Sequence, residues 1–215
     1  MKIWILVCGA TDMPLPKSCT GAVYEKALAA SEESGLAASY TGRTMTACNR
    51  ILYVAPGRRA RETAKQVIPE AAIHIEPLLA PIPCRAWKDT DEKHSPRLWR
   101  AMARLQARAG NPRQPESREA SIERAEMLIE HLEAEGQDCI LVLDGDFLAL
   151  LLDRLRLHGC SMQRSGIGCR KPFELILASG RELHCGGCGH NCLLANPGCG
   201  IGRDKALRRA EGRQA

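Results

Sequence analysis

Cys185, Cys188, Cys192 and Cys199 form a C-x2-C-x3-C-x6-C array within the stretch HCGGCGHNCLLANPGCGIG. Four thiolates in so short a span match the donor set of one tetrahedral zinc or one [4Fe–4S] cluster. Glycines at 186, 187, 189, 198 and 200 let the backbone turn back toward sulfur, and Pro197 stiffens the last turn. Zinc knuckles show two spaced pairs. This array has one pair and two singles, so an iron–sulfur cluster is preferred to zinc. His184 and His190 are left outside the ligand set, since four cysteines suffice. GCGIG is rich in glycine but follows no predicted strand, which removes a dinucleotide-binding reading.

A second group of reactive residues stands where apolar runs break off. The first run ends in Cys8-Gly9, with Thr11 close behind. The second ends in Pro56-Gly57-Arg58-Arg59, and a third in Asp144-Gly145-Asp146. A thiol is a potential nucleophile, two guanidinium groups are anion receptors, and a carboxylate either caps a helix or moves a proton. In open parallel sheets, ligands sit beyond the carboxyl ends of strands. If three strands deliver these residues side by side, they line one crevice.

The elements that must do this are readable. Strands are expected at 2–7, 51–55, 73–75, 140–143 and 172–178. A helix at 21–35 turns Val23, Ala27, Leu28 and Ala30 inward and stops at Gly35. Another runs from 58 to Pro69. A proline-rich loop, PLLAPIP, fills 77–83. Ser95-Pro96 is a helix start, a capping hydroxyl followed by proline at the first helical position. Leu98, Met102 and Leu105 share one face of that helix, while Arg97, Arg100, Arg104 and Arg108 line another. The arginine row reads as a solvated face, because no aromatics are interleaved to stack bases. A loop at 110–115 leads to a strong helix at 117–135, with Gly136 as its end. A further apolar helix covers 147–157, with Asp144 as its cap. This order predicts an α/β fold: three layers, a largely parallel sheet and helices on both faces.

Composition sets the outer bounds. The 215 residues suit one α/β domain with a small appendage, and the division expected is 1–179, a cysteine-rich module at 180–202 and a basic tail at 203–215. Hydrophobic content is 45% but aromatics only 4%, so the core must be mostly aliphatic. The net charge of +5 points only faintly to an anionic partner and makes nucleic acid an unexpected one. No signal peptide or membrane span is expected, and the location expected is cytoplasmic. Eleven cysteines, an odd number, cannot all pair internally. A reducing compartment favours metal binding where they cluster.

The strand exits and their order resemble the histidine phosphatase superfamily, with its phosphoglycerate mutase-like fold. The resemblance covers residues 1–178. VCGAT stands where the family carries Arg-His-Gly followed by Thr, and APGRRARETA at 55–64 matches a Ser-Pro-x-x-Arg-Ala-x-x-Thr-Ala pattern. Glu116-Ser117 matches a Glu-Ser pair at the start of the long helix, and LDG stands where the family has Ser-His-Gly. The resemblance implies that Arg59 is the phosphate-binding arginine, with Arg58 beside it. It also implies that Cys8 replaces the nucleophilic histidine, Val7 the adjacent arginine, and Asp144 the second histidine. The family's proton donor follows the third strand, where Leu79-Ala80-Pro81 offers no carboxylate.

These replacements weaken a phosphoryl site. One charge at ~4 Å and an effective dielectric of about 20 is worth about 4 kcal/mol. Losing a cation and gaining an anion therefore costs several factors of ten in rate. Thiol phosphatases place an arginine six positions after the cysteine, but position 14 is proline. The expectation is a catalytically inactive, histidine-phosphatase-like protein with a four-cysteine metal site, sensing, scaffolding or binding a small phosphorylated or other anionic ligand. The alternatives are a divergent phosphatase or phosphomutase acting on a phosphomonoester, and an iron–sulfur redox or regulatory protein.

Overall fold

A computed structural model describes residues 1–13, 15–38, 44–165 and 175–179 of the chain. The expected four-cysteine module at 180–202 and the tail at 203–215 lie outside the described residues.

Among the described residues, six strands form one sheet in the order β3-β2-β4-β1-β6-β5. They are β1 (Lys2–Val7), β2 (Ile51–Val54), β3 (Ile73–Ile75), β4 (Cys139–Leu143), β5 (Ser161–Ser165) and β6 (Leu175–Ser179). Strands β1 to β4 run parallel to one another. Strand β6 is antiparallel to β1 and to β5. The sequence predicts no strand at β5; the strand expected at 172–178 is seen as β6 over Leu175–Ser179, and 172–174 lie outside the described residues. The polar stretch SMQRS shows none of the apolar alternation that marks a half-buried strand, and it sits at the sheet edge.

Among the described residues, five helices connect the strands: α1 (Gly21–Glu33), α2 (Arg58–Val67), α3 (Pro96–Arg108), α4 (Arg118–Glu135) and α5 (Gly145–Leu157). Right-handed crossovers put α1 and α2 on one face of the sheet and α4 and α5 on the other. The packing of α1 on α2 and of α4 on α5 agrees with that division. Covered on both faces, β4 is buried at every position. It therefore reads as a continuous apolar run rather than an alternating one. The core is aliphatic as expected: Ile3, Ile5, Leu52, Val54, Leu128, Ile129, Leu151 and Leu155 are all buried in one cluster.

Helix ends follow local chemistry. Ser95 caps α3 by accepting from Leu98 N at 3.3 Å, and Ser117 caps α4 by accepting from Ala120 N at 3.1 Å. Gly136 ends α4 at φ 64°, a conformation that suits glycine.

Two helix faces differ from expectation. Val23 of α1 is 50% exposed, and the side chain turned inward is Tyr24. In α3, Leu98 and Leu105 are exposed while Trp99 and Ala103 are buried. One cause explains both. The scarce aromatics gather in a second small core of Cys19, Tyr24, Ala86 and Trp99. Trp99 stacks on Tyr24 at 6.1 Å, and its indole N–H donates to Cys19 O at 2.9 Å. This cluster fixes the rotation of α3 against α1 and ties the insertion between β3 and α4 to the body of the fold.

Candidate functional site

The strand order creates a crevice at its centre. After β1 the chain leaves toward α1 on one face; after β4 it leaves toward α5 on the other. Such divergence opens the sheet's carboxyl edge to ligands. Val7 pairs with Leu143 in register, so the residues that follow, Cys8 and Asp144, emerge side by side. Cys8 N donates to Leu143 O at 2.9 Å, and Ala55 N donates to Val142 O at 2.9 Å, holding the exit of β2 alongside. The three exits meet in one cleft of about 400 Å³, lined by Cys8, Arg58, Arg59 and Asp144 among others.

Within this cleft each expected residue has a defined environment. Asp144 caps α5, its Oδ1 accepting from Asp146 N at 3.0 Å. Its other oxygen, Oδ2, accepts from Arg59 Nη2 at 2.6 Å. Both partners are largely shielded, with side-chain exposures of 21% for Arg59 and 27% for Asp144. Arg58 turns outward and pairs with Glu62 at 2.7 Å, one helical turn on. The carboxylate of Glu62 in turn accepts from Leu36 N at 2.6 Å. Both arginines are thus engaged by carboxylates of the chain itself.

The Cys8 thiol is pushed up to about 12, chiefly by desolvation. The Arg59 cation lowers it and the Asp144 anion works against that pull, with burial outweighing both. The exit of β1 is pinned from the side: Gly9 N donates to the buried Thr63 Oγ1 at 3.1 Å, and the same hydroxyl donates to Arg59 O at 2.8 Å. Thr63 therefore couples the Cys8 turn to the helix that carries Arg59. It belongs to the matched stretch at 55–64, where sequence reasoning gave it no role of its own.

Two further acidic residues were missed. Glu32 and Glu33, from the last turn of α1, line the same cleft. The Glu32 carboxyl is raised above its usual range, first by desolvation and then by the Asp144 charge, against the pull of Arg59. An acidic pair at the end of a predicted helix was visible in the sequence. Its approach to Asp144 depends on how α1 lies across the sheet.

The loop after β3 is a short 3-10 turn, Pro77–Leu79. Glu76 begins it, accepting from Leu78 N at 2.9 Å, so this carboxylate serves as a cap. Arg124 of α4 donates to Leu78 O and Ala80 O, and pairs with Glu116 at 2.9 Å, each side chain 16% exposed. Glu116 and Arg124 together hold the loop that places Pro81 at the cleft. Among the described residues, no cluster of histidine, cysteine or carboxylate side chains is arranged to hold a metal, and no helix is long and apolar enough to cross a membrane.

The doubly covered parallel sheet, with an arginine, a cap and a cysteine at adjoining strand ends, defines an α/β protein of the phosphoglycerate mutase-like class. Residues 31–166 match the family model of the histidine phosphatase superfamily (branch 1), and the chain belongs to that superfamily. Similar solved structures include phosphoserine phosphatase from Entamoeba histolytica in complex with 3-phosphoglyceric acid. It is 16% identical, with a TM-score of 0.46, covering 73% of this chain and 80% of that one. The product of the open reading frame Rv3214 of Mycobacterium tuberculosis is 18% identical, with a TM-score of 0.47, over 72% of this chain and 79% of that one. A putative alpha-ribazole-5'-P phosphatase from Escherichia coli K-12 is 19% identical, with a TM-score of 0.43, over the same shares, 72% and 79%. No curated protein matches the chain.

Proposed function

We propose that this member of the superfamily does not transfer phosphoryl groups and that its strand-end cleft is a retired phosphate site. The observation that carries this reading is the Arg59–Asp144 ion pair at 2.6 Å beside the largely buried Cys8, whose thiol burial pushes up to about 12. A phosphoryl dianion entering here would have to displace Asp144 from Arg59 and lie against that carboxylate and Glu32. Phosphoryl transfer relies on fixed positive charge aimed at the transferring oxygens. This cleft has spent that charge internally.

The test is turnover of p-nitrophenyl phosphate and of phosphoserine by the full chain, compared with Cys8→Ser and Arg59→Ala. The expected result is three indistinguishable background rates and no acid-stable or acid-labile phosphoprotein. Activity that vanishes in Cys8→Ser would instead establish the second reading, a divergent thiol-dependent phosphatase. The observation favouring that reading is that Cys8 and Arg59 line the same cleft and the Arg59 cation pulls the Cys8 thiol down.

The same proposal assigns the chain a sensing or scaffolding role through its cysteine array. Cys185, Cys188, Cys192 and Cys199 are the residues that would hold a [4Fe–4S] cluster, or zinc in its place; four thiolates meet the donor requirement of either. When bound, a cluster supplies one-electron redox chemistry and zinc a structural cross-link. Anaerobic purification with metal and sulfide analysis distinguishes them. Iron with equimolar sulfide, and visible absorbance that bleaches in air and is lost in Cys188→Ser, is expected. One colourless zinc per chain would replace the cluster with a structural site, and metal-free protein would remove both.

A further inference from the structure

The arginine row of α3 is exposed along most of its length, and three of its members also border a second cleft. Arg100, Arg104 and Arg108 recur every four residues, and the rotation set by Trp99 turns them toward α5. There they wall one side of this cleft of about 380 Å³. Arg118, from the first turn of α4, and Arg154, from α5, complete the basic rim. The floor is apolar, with Ile82, Ala107 and Leu150 among its side chains.

The charges in this cleft are not balanced. Five arginines face only two carboxylates, Asp146 and Asp153. Asp146 is taken by Arg104 and, at 3.9 Å, by Arg100. Asp153 is held by Arg156 at 3.0 Å, and Arg154 is committed to Glu126. Arg108 and Arg118 have no ion-pair partner among the described residues. A pocket of this size with an apolar floor and a few convergent polar groups is typical of a small-molecule site. Guanidinium forks match carboxylate and phosphate oxygens two at a time. None of the lining side chains is aromatic, so base stacking has no platform here.

We propose that this cleft between α3, α4 and α5 binds a small amphiphilic anion, a carboxylate or phosphate monoester carried on an apolar body. The head lies at Arg108 and Arg118, and the body covers Ile82, Ala107 and Leu150. The proposal is independent of whether the strand-end cleft has kept any activity.

Isothermal titration of the full chain with octyl phosphate and octanoate tests it, with octanol and inorganic phosphate as the tail-only and head-only probes. One saturable site is expected for at least one amphiphile, and the stronger of the two identifies the head group. Octanol should bind at least tenfold more weakly, since a charge-assisted contact is worth roughly that factor, and inorganic phosphate likewise, since it forgoes burial of the apolar body. The double variant Arg108→Gln, Arg118→Gln should lose about tenfold or more in affinity. Both side chains are exposed, so the fold is retained and an unchanged melting temperature verifies it. Ala107→Trp, which fills the floor, should abolish binding. Arg97→Gln, on the same helix but outside the cleft, should bind as the parent does. No saturable binding of either amphiphile, unaltered affinity in the double variant, or an equal loss in Arg97→Gln would each overturn the site.

Discussion

Asp144 does two jobs that a histidine at the same place could not combine. One oxygen caps α5 and the other holds Arg59. Asparagine would keep the cap but surrender the charge. In Asp144→Asn the Arg59 cation is released from its pair, and one cause of the raised Cys8 thiol is removed. Alkylation of Cys8 by iodoacetamide, followed by peptide mass spectrometry at pH 8, should therefore speed up several-fold. Binding of inorganic phosphate should become measurable by titration calorimetry in the same variant. An unchanged labelling rate together with absent phosphate binding would mean that Asp144 is not what silences the cleft.

At the level of elements, the site depends on how the turn after β1 is fastened to α2. The Thr63 hydroxyl accepts from Gly9 N and donates to Arg59 O in a fully buried position. Valine has nearly the same shape but no hydroxyl. Thr63→Val should leave the Gly9 N–H without its partner and cost about 1–3 kcal/mol. Urea denaturation measures this; a loss below about 0.5 kcal/mol would show that water or another acceptor replaces the hydroxyl. Arg124 plays a comparable role on the opposite face, joining Glu116 to the carbonyls of the turn after β3. These two fasteners tie the turns after β1 and β3 to the helices beside them.

For the molecule as a whole, buried acids that stay protonated set an alkaline limit. Cys8 and Cys139 are both raised from 9.0 to about 12, chiefly by desolvation. Tyr24 and Tyr53 are raised as well, again first by burial. A group whose folded value is raised contributes stability that is complete below its unfolded value and is lost as pH climbs toward the folded one. The melting temperature should hold steady up to about pH 9 and then fall steadily toward pH 11. Cys139→Ala should be less stable at neutral pH but show a shallower alkaline decline. A flat melting curve through pH 11 would indicate that these thiols ionise freely in the folded protein.

Much of the fold was legible in the residues because local rules governed it. Ser95, Ser117 and Gly136 mark helix ends through hydrogen bonds and backbone preferences that act over a few positions. The buried strand at Cys139–Leu143 announces itself because both faces are covered. The strand-exit members of the cleft, Cys8, Arg58, Arg59 and Asp144, were also readable, since parallel strands deliver their ends to one edge, whereas Glu32 and Glu33 of α1 were not. What the residues could not disclose was pairing between distant elements. Arg59 and Asp144 are 85 positions apart, and nothing local says that the arginine's charge is spent on the carboxylate. The inward turn of Tyr24 and Trp99 against the apparent apolar stripe likewise depends on the two helices meeting. So does the gathering of α3 arginines with Arg118 and Arg154. Periodicity reports which side chains share a face, but only packing against a partner decides where that face points.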